Sequence, residues 1–169
     1  VTYRTIGRSQ TDEGVVKFKK PNRMKWEYFS PGRQIIVCDG NKIWFYMPED
    51  SQVITADMKT AFSTQTPSNF LSGMGKLTEE FNVEIKREEK EMVCLNLIPV
   101  KPIENLRELV ICVDRNDFLV RESVVVDNLG NETLIRFKEI EINKGLKESE
   151  FEFKVPKGVE VIEGFPRKD

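Results

Sequence analysis

Between Arg23 and Phe29 the side chains alternate with a period of two: Met24, Trp26 and Tyr28 fall on one side, Arg23, Lys25 and Glu27 on the other. That period is the mark of an extended strand with one face turned away from water. Its neighbours are as clearly punctuated. Val15–Lys20 is strand-like and stops at Pro21-Asn22, because proline has no N–H for a ladder and asparagine favours turns. Ser30-Pro31-Gly32 turns the chain on the other side. Gln34–Cys38 and Lys42–Met47 then flank Asp39-Gly40-Asn41, a strong hairpin signal. With an even number of residues in that loop, Ile36 and Cys38 share a face with Ile43 and Phe45, while Ile35 and Val37 share the other with Trp44 and Tyr46. The stretch from Val16 to Tyr46 holds both tryptophans and two of the three tyrosines. A sheet rich in aromatics and without reactive groups points to binding something apolar rather than transforming it.

Strand-like segments continue along most of the chain. Val1–Arg8 precedes a polar turn from Ser9 to Gly14, and Gln52–Ala56 follows the hairpin. Phe81–Glu88, Met92–Pro99, Glu108–Asp114, Leu119–Asp127, Glu132–Ile142 and Glu150–Val155 complete the set, with Asn128-Leu129-Gly130-Asn131 as a turn. Asp57–Lys76 breaks the alternation. Within it, Thr66–Gly73 reads as a short helix, with Thr66 as N-cap, Pro67 in the first turn and Gly73 past the end. Short connections predict antiparallel neighbours. About ten or eleven strands predict a mainly β chain with a large, strongly curved sheet or partial barrel.

Composition removes several function classes. The 169 residues are enough for one domain with a core. A formal net charge of −2 carries no polyanion-binding signature, so nucleic acid is not an expected partner. The chain has no histidine, which excludes Ser-His-Asp and Cys-His catalysis and every His-ligated metal. No catalytic residue, metal site or cofactor is expected. Cys38, Cys94 and Cys112 lack metal or redox spacing and read as small buried hydrophobes, although a Cys94–Cys112 disulfide is possible if their strands are neighbours. No run approaches the ~20 apolar residues of a membrane span, and no signal peptide is present. The chain opens inside a strand-like segment without an initiator methionine, so an N-terminal segment is expected to be missing here.

The motifs, taken in order, resemble the LolA family. G-V-V-K-F-K-K-P-N-R-M-K-W from Gly14 to Trp26 carries the resemblance first, followed by Ser30-Pro31 and by D-G-N-K-I-W-F-Y from Asp39 to Tyr46. T-P-S-N-F-L from Thr66 to Leu71 and Asp127-Asn128-Leu129-Gly130 with Thr133 come next. Phe151-Glu152-Phe153, Pro156 and Gly158-Val159 complete it, so the resemblance covers essentially the whole chain as a single carrier domain, 1–169. It implies an unclosed antiparallel β half-barrel with short helical lid segments, and a hydrophobic cavity for the acyl chains of lipoproteins. It further implies a monomeric chaperone in the periplasm of a Gram-negative bacterium. Cargo would come from an inner-membrane ABC transporter and pass to an outer-membrane acceptor of similar fold.

On this reading the cavity lining is expected from Met24, Trp26, Tyr28, Ile36, Ile43 and Phe45, with Phe70, Leu71 and Met74 from the lid. The chain departs from the family pattern twice. The helix expected before the first strand is absent, and Lys20 stands where studied members carry the arginine that hydrogen-bonds the lid. Lysine is a point donor without the planar fork of arginine, so Lys20 is expected to latch the lid less rigidly. Alternatives of related fold are an outer-membrane lipoprotein acceptor and a periplasmic lipid- or lipoprotein-sensing regulatory domain. Lys17, Lys19, Lys20, Arg23 and Lys25 form a basic cluster that reads either as a solvated face or as a docking patch for an acidic partner surface. Glu79, Glu80, Glu88, Glu89 and Glu91 read as solvated hairpin positions, and Asp39-Gly40 and Asp127-Asn128 as hairpin turns rather than calcium loops.

Overall fold

A computed structural model describes residues 1–5, 8–58, 77–103 and 105–164. The chain is mainly β. Its strands are β1 (Thr2–Thr5), β2 (Arg8–Thr11), β3 (Glu13–Lys19), β4 (Arg23–Ser30), β5 (Gln34–Cys38), β6 (Lys42–Met47) and β7 (Gln52–Asp57). They continue as β8 (Phe81–Glu88), β9 (Met92–Pro99), β10 (Glu108–Asp114), β11 (Val120–Val126), β12 (Glu132–Arg136) and β13 (Glu160–Glu163). A one-turn helix α1 (Leu77–Glu80) leads into β8, and a 3-10 turn spans Glu148–Phe151. The chain divides into two compact units. Neither sheet closes on itself.

The first unit carries a seven-stranded sheet in the order β2-β1-β12-β11-β10-β9-β8. Phe81, Leu97, Leu106, Leu109 and Ile111 form its buried core, with Leu77 of α1 packed against them. On the opposite face Cys94 and Cys112, directly paired across β9 and β10, form a disulfide. The alternation of small apolar residues had left that bond open; adjacency of the strands decides it. Closing so short a loop restrains the unfolded chain by about 3 kcal/mol in the chain-entropy account. At the β11–β12 turn, the Asp127 carboxylate accepts the N–H groups of Leu129 and Asn131 at 2.8 and 2.9 Å and the Asn131 side-chain amide at 2.7 Å. That set of donors, led by the Asn131 side chain, holds the Asp127 carboxyl below the usual carboxylate range.

The second unit carries a six-stranded sheet in the order β13-β7-β6-β5-β4-β3. The expected hairpin forms: Cys38 pairs with Ile43 across Asp39–Lys42, Gly40 takes φ +104, and the Asp39 carboxylate accepts the N–H groups of Asn41 and Lys42. Such a φ favours glycine, which has no Cβ to clash.

Four boundaries differ from the expectation. Ser9–Gly14 is not a turn; Arg8–Thr11 pairs with β1 as an edge strand, exposed throughout, where no apolar alternation is needed. The β12 ladder stops at Arg136 instead of running to Ile142. Glu150–Val155 forms no strand. Phe151 and Phe153 alternate there because they pack across a sheet: Phe151 is fully buried and Phe153 lies on Trp44 and Tyr46, with ring centroids 6.1 and 5.7 Å apart. Finally, Glu160–Glu163 is a strand that the sequence did not suggest, and it pairs parallel with β7. The long connection between them permits the parallel arrangement.

Candidate functional site

Register fixes which side chains of the second unit share a face. Phe18, Met24, Cys38, Ile43 and Ala56 lie in one row across β3 to β7. Val16, Trp26, Ile36, Phe45 and Ile54 lie in the next, continued by Ile162 of β13. Tyr28, two residues from Trp26, is on the same face and stacks on it at 6.0 Å and 15°; Phe18 meets Trp26 edge-on at 5.8 Å and 87°. The expected parity therefore holds. Met24, Trp26, Tyr28, Ile36, Ile43 and Phe45 are on one side of the sheet.

The two rows differ in burial. In the first, Met24, Cys38 and Ile43 are 3%, 0% and 1% exposed. In the second, Ile36, Phe45 and Ile54 are only half-buried, as are Phe18 and Tyr28. The face thus grades from packed core to apolar surface that water still reaches. Phe18, Val16 and Ile54 were not singled out from the sequence; the alternation Val16-Lys17-Phe18-Lys19 carried the signal for two of them. Cys38 donates from its thiol to the Asn22 carbonyl at 3.4 Å, and burial pushes its pKa up, which keeps it a thiol.

The other face of this sheet is occupied from within the unit. Lys17 pairs with Glu150 at 2.7 Å, Arg23 with Glu148 at 3.5 Å, and Lys25 with Glu27 at 2.8 Å. Lys19 donates to the Leu146 carbonyl at 2.7 Å. Together with Phe153 over Trp44 and Tyr46, the contacts of Lys17, Lys19 and Arg23 strap the segment from Leu146 to Phe153 onto the sheet. Lys17, Lys19 and Arg23 thus anchor that segment, and Lys25 is paired within its own strand. Lys20, the fifth, is exposed and makes no ion pair among the described residues. The lid residues Phe70, Leu71 and Met74, and the expected helix Thr66–Gly73, lie outside the described residues.

The residues define a mainly β chain whose candidate site is a half-open apolar and aromatic sheet face. Comparison with known proteins agrees with that class. The family model described as "Outer membrane lipoprotein carrier protein LolA" matches residues 1–154. An outer-membrane lipoprotein carrier protein of Nitrosomonas europaea is 34% identical over 149 residues, covering 88% of this chain and 71% of its own length. Its counterpart in Hahella chejuensis is 32% identical over 154 residues, covering 90% and 73%. Among solved structures, a LolA superfamily protein from Nitrosomonas europaea overlays with a TM-score of 0.38 at 16% identity, over 83% of this chain and 67% of that one. The chain belongs to the LolA family.

Proposed function

We propose that this protein is a periplasmic chaperone that shelters the acyl chains of lipoproteins on the aromatic face of β3 to β7. The observation that carries the reading is the shared face of Met24, Trp26, Tyr28, Ile36, Ile43 and Phe45, part of it half-buried. Exposing one methylene to water costs ~0.8 kcal/mol, so an apolar face offsets the cost that acyl chains would otherwise meet outside a membrane. Tyr28, Ile36 and Phe45 are the half-buried members of that face and would meet the chains. Family membership supports lipoprotein as cargo, received from an inner-membrane ABC transporter and handed to an outer-membrane acceptor. The Cys94–Cys112 disulfide supports an oxidising compartment, and no described helix is long and apolar enough to cross a membrane. Phe70, Leu71 and Met74 would close over the chains, with Lys20 as the latch, in a protein acting as a monomer.

The test is release of a lipoprotein from inner-membrane vesicles that contain the transporter. The wild type should recover cargo in soluble form, and mass spectrometry should find the acylated species bound. Phe45→Glu, which puts a charge on the half-buried row, should abolish recovery while the fold persists by circular dichroism. Equal recovery by both proteins, or no acylated species on the wild type, would sink the carrier reading.

A further inference from the structure

Beside the half-buried row of Ile36, Phe45, Ile54 and Ile162, the same face of the second unit carries one more row. Two residues away on each strand, about 6.6 Å, stand Gln34 of β5, Met47 of β6, Gln52 of β7 and Glu160 of β13, with Tyr28 of β4. Pairing places Gln34 opposite Tyr28, and Gln52 between Met47 and Glu160. Gln34 and Gln52 are half-buried, and Glu160 is exposed. Two strand spacings of ~4.8 Å put the glutamines about 10 Å apart.

Leucine at positions 34 and 52 would have widened the apolar face. The chain carries side-chain amides there instead, and neither makes a hydrogen bond among the described residues. An amide offers both N–H donors and a carbonyl acceptor, so it matches a ligand group that is polar but uncharged. The row holds no cation. At the same end of the sheet, Glu49 and Asp50 of the β6–β7 turn together with Glu160 outnumber Arg33. A phosphate set beside the apolar row would lose water without gaining a counter-charge. The ester carbonyls and peptide N–H groups around an acylated cysteine meet no such cost.

We infer that Gln34 and Gln52 hold the uncharged ester and peptide groups of an acylated cysteine whose hydrocarbon lies on the Ile36–Phe45–Ile54 row, and that they separate a lipoprotein from a phospholipid with the same two chains. The inference rests on the acyl-binding reading above, for the same face, and adds to it a basis for choosing between head groups.

Two ligands that share a dipalmitoylglyceryl group test it: an N-acetylated S-glycerylcysteinyl peptide and phosphatidylglycerol. The wild type should bind the peptide more tightly by about tenfold or more, the range of two net hydrogen bonds. The double variant Gln34→Leu, Gln52→Leu should lose roughly three- to tenfold in affinity for the peptide per hydrogen bond removed, and none for phosphatidylglycerol. Without ligand it should melt no lower than the wild type, since neither amide has an internal bond to lose. Gln52→Lys, which supplies the missing cation, should gain affinity for phosphatidylglycerol by roughly three- to tenfold. A preference for the peptide that survives in the leucine variant overturns the inference. An equal loss of both ligands, or a lower melting temperature, overturns it too, by showing a packing role. Gln52→Lys binding phosphatidylglycerol no better than the wild type also counts against it, because the row would then not be where head groups lie. A wild type that binds both ligands equally sinks this inference alone; one that binds neither removes the acyl-binding reading as well.

Discussion

A single hydrogen atom decides the path of β3. The ladder to β4 shifts register between Glu13 and Gly14, and a Cβ built on Gly14 would stand 2.3 Å from the Glu27 carbonyl oxygen and 3.1 Å from the Tyr28 Cα. Both are backbone atoms of the strand that carries Trp26 and Tyr28, so relief means moving the aromatic face itself. Gly14→Ala should therefore cost about 1–3 kcal/mol, as overpacking does. Urea unfolding should show a lower midpoint with an unchanged slope; an unchanged midpoint would mean that β4 yields freely. At this scale the sequence was legible where pattern and chemistry agree. Met24, Trp26 and Tyr28 alternate against charges, and strand pairing leaves them no other face. Gly14 was misread as the end of a turn because its small size answers a backbone contact from another strand, which no local pattern encodes.

The strap from Leu146 to Phe153 shows the same limit at the scale of elements. Phe151 and Phe153 alternate like a strand, yet the segment is held by side chains rather than by a ladder. The basic cluster and the acidic pair Glu148 and Glu150 were both visible as charge; that they meet could not be read across more than a hundred residues. β13 was missed for a related reason: four residues on an exposed edge carry too little apolar pattern to announce a strand. Glu150 makes the strap sensitive to acid. The Lys17 ammonium, then the Lys147 N–H at 3.0 Å, hold its carboxyl below the ordinary glutamate range. A pKa lowered on folding contributes stability above the unfolded value, about 4.3, and loses it as pH falls through the folded value. Acidification into that window should loosen the strap from Trp44, read by tryptophan fluorescence. Asp114 and Asp127 are shifted the same way, so the difference between the wild type and Glu150→Gln isolates this group. Parallel titration curves for the two proteins would remove Glu150 as the source.

For the molecule as a carrier, holding cargo and releasing it make opposed demands. Every methylene buried strengthens the hold, so release requires a closure that can be undone without unfolding. Lys20 is suited to that task on the residues in view. It follows directly on β3, is exposed, and is the member of its basic cluster that anchors nothing among the described residues, while Lys17, Lys19, Arg23 and Lys25 are all engaged. An ammonium can hold a lid carbonyl but lacks the fixed fork that lets arginine hold several at once. Lys20→Arg should consequently bind acylated cargo more tightly and pass it to an acceptor more slowly. Because the site is exposed, unfolding free energy should move by no more than about 0.5 kcal/mol. Cargo affinity, transfer rate and urea stability measured on the same preparations separate the two effects. If neither affinity nor transfer changes, Lys20 is not a latch; if stability falls with them, the substitution acts through the fold and not through closure.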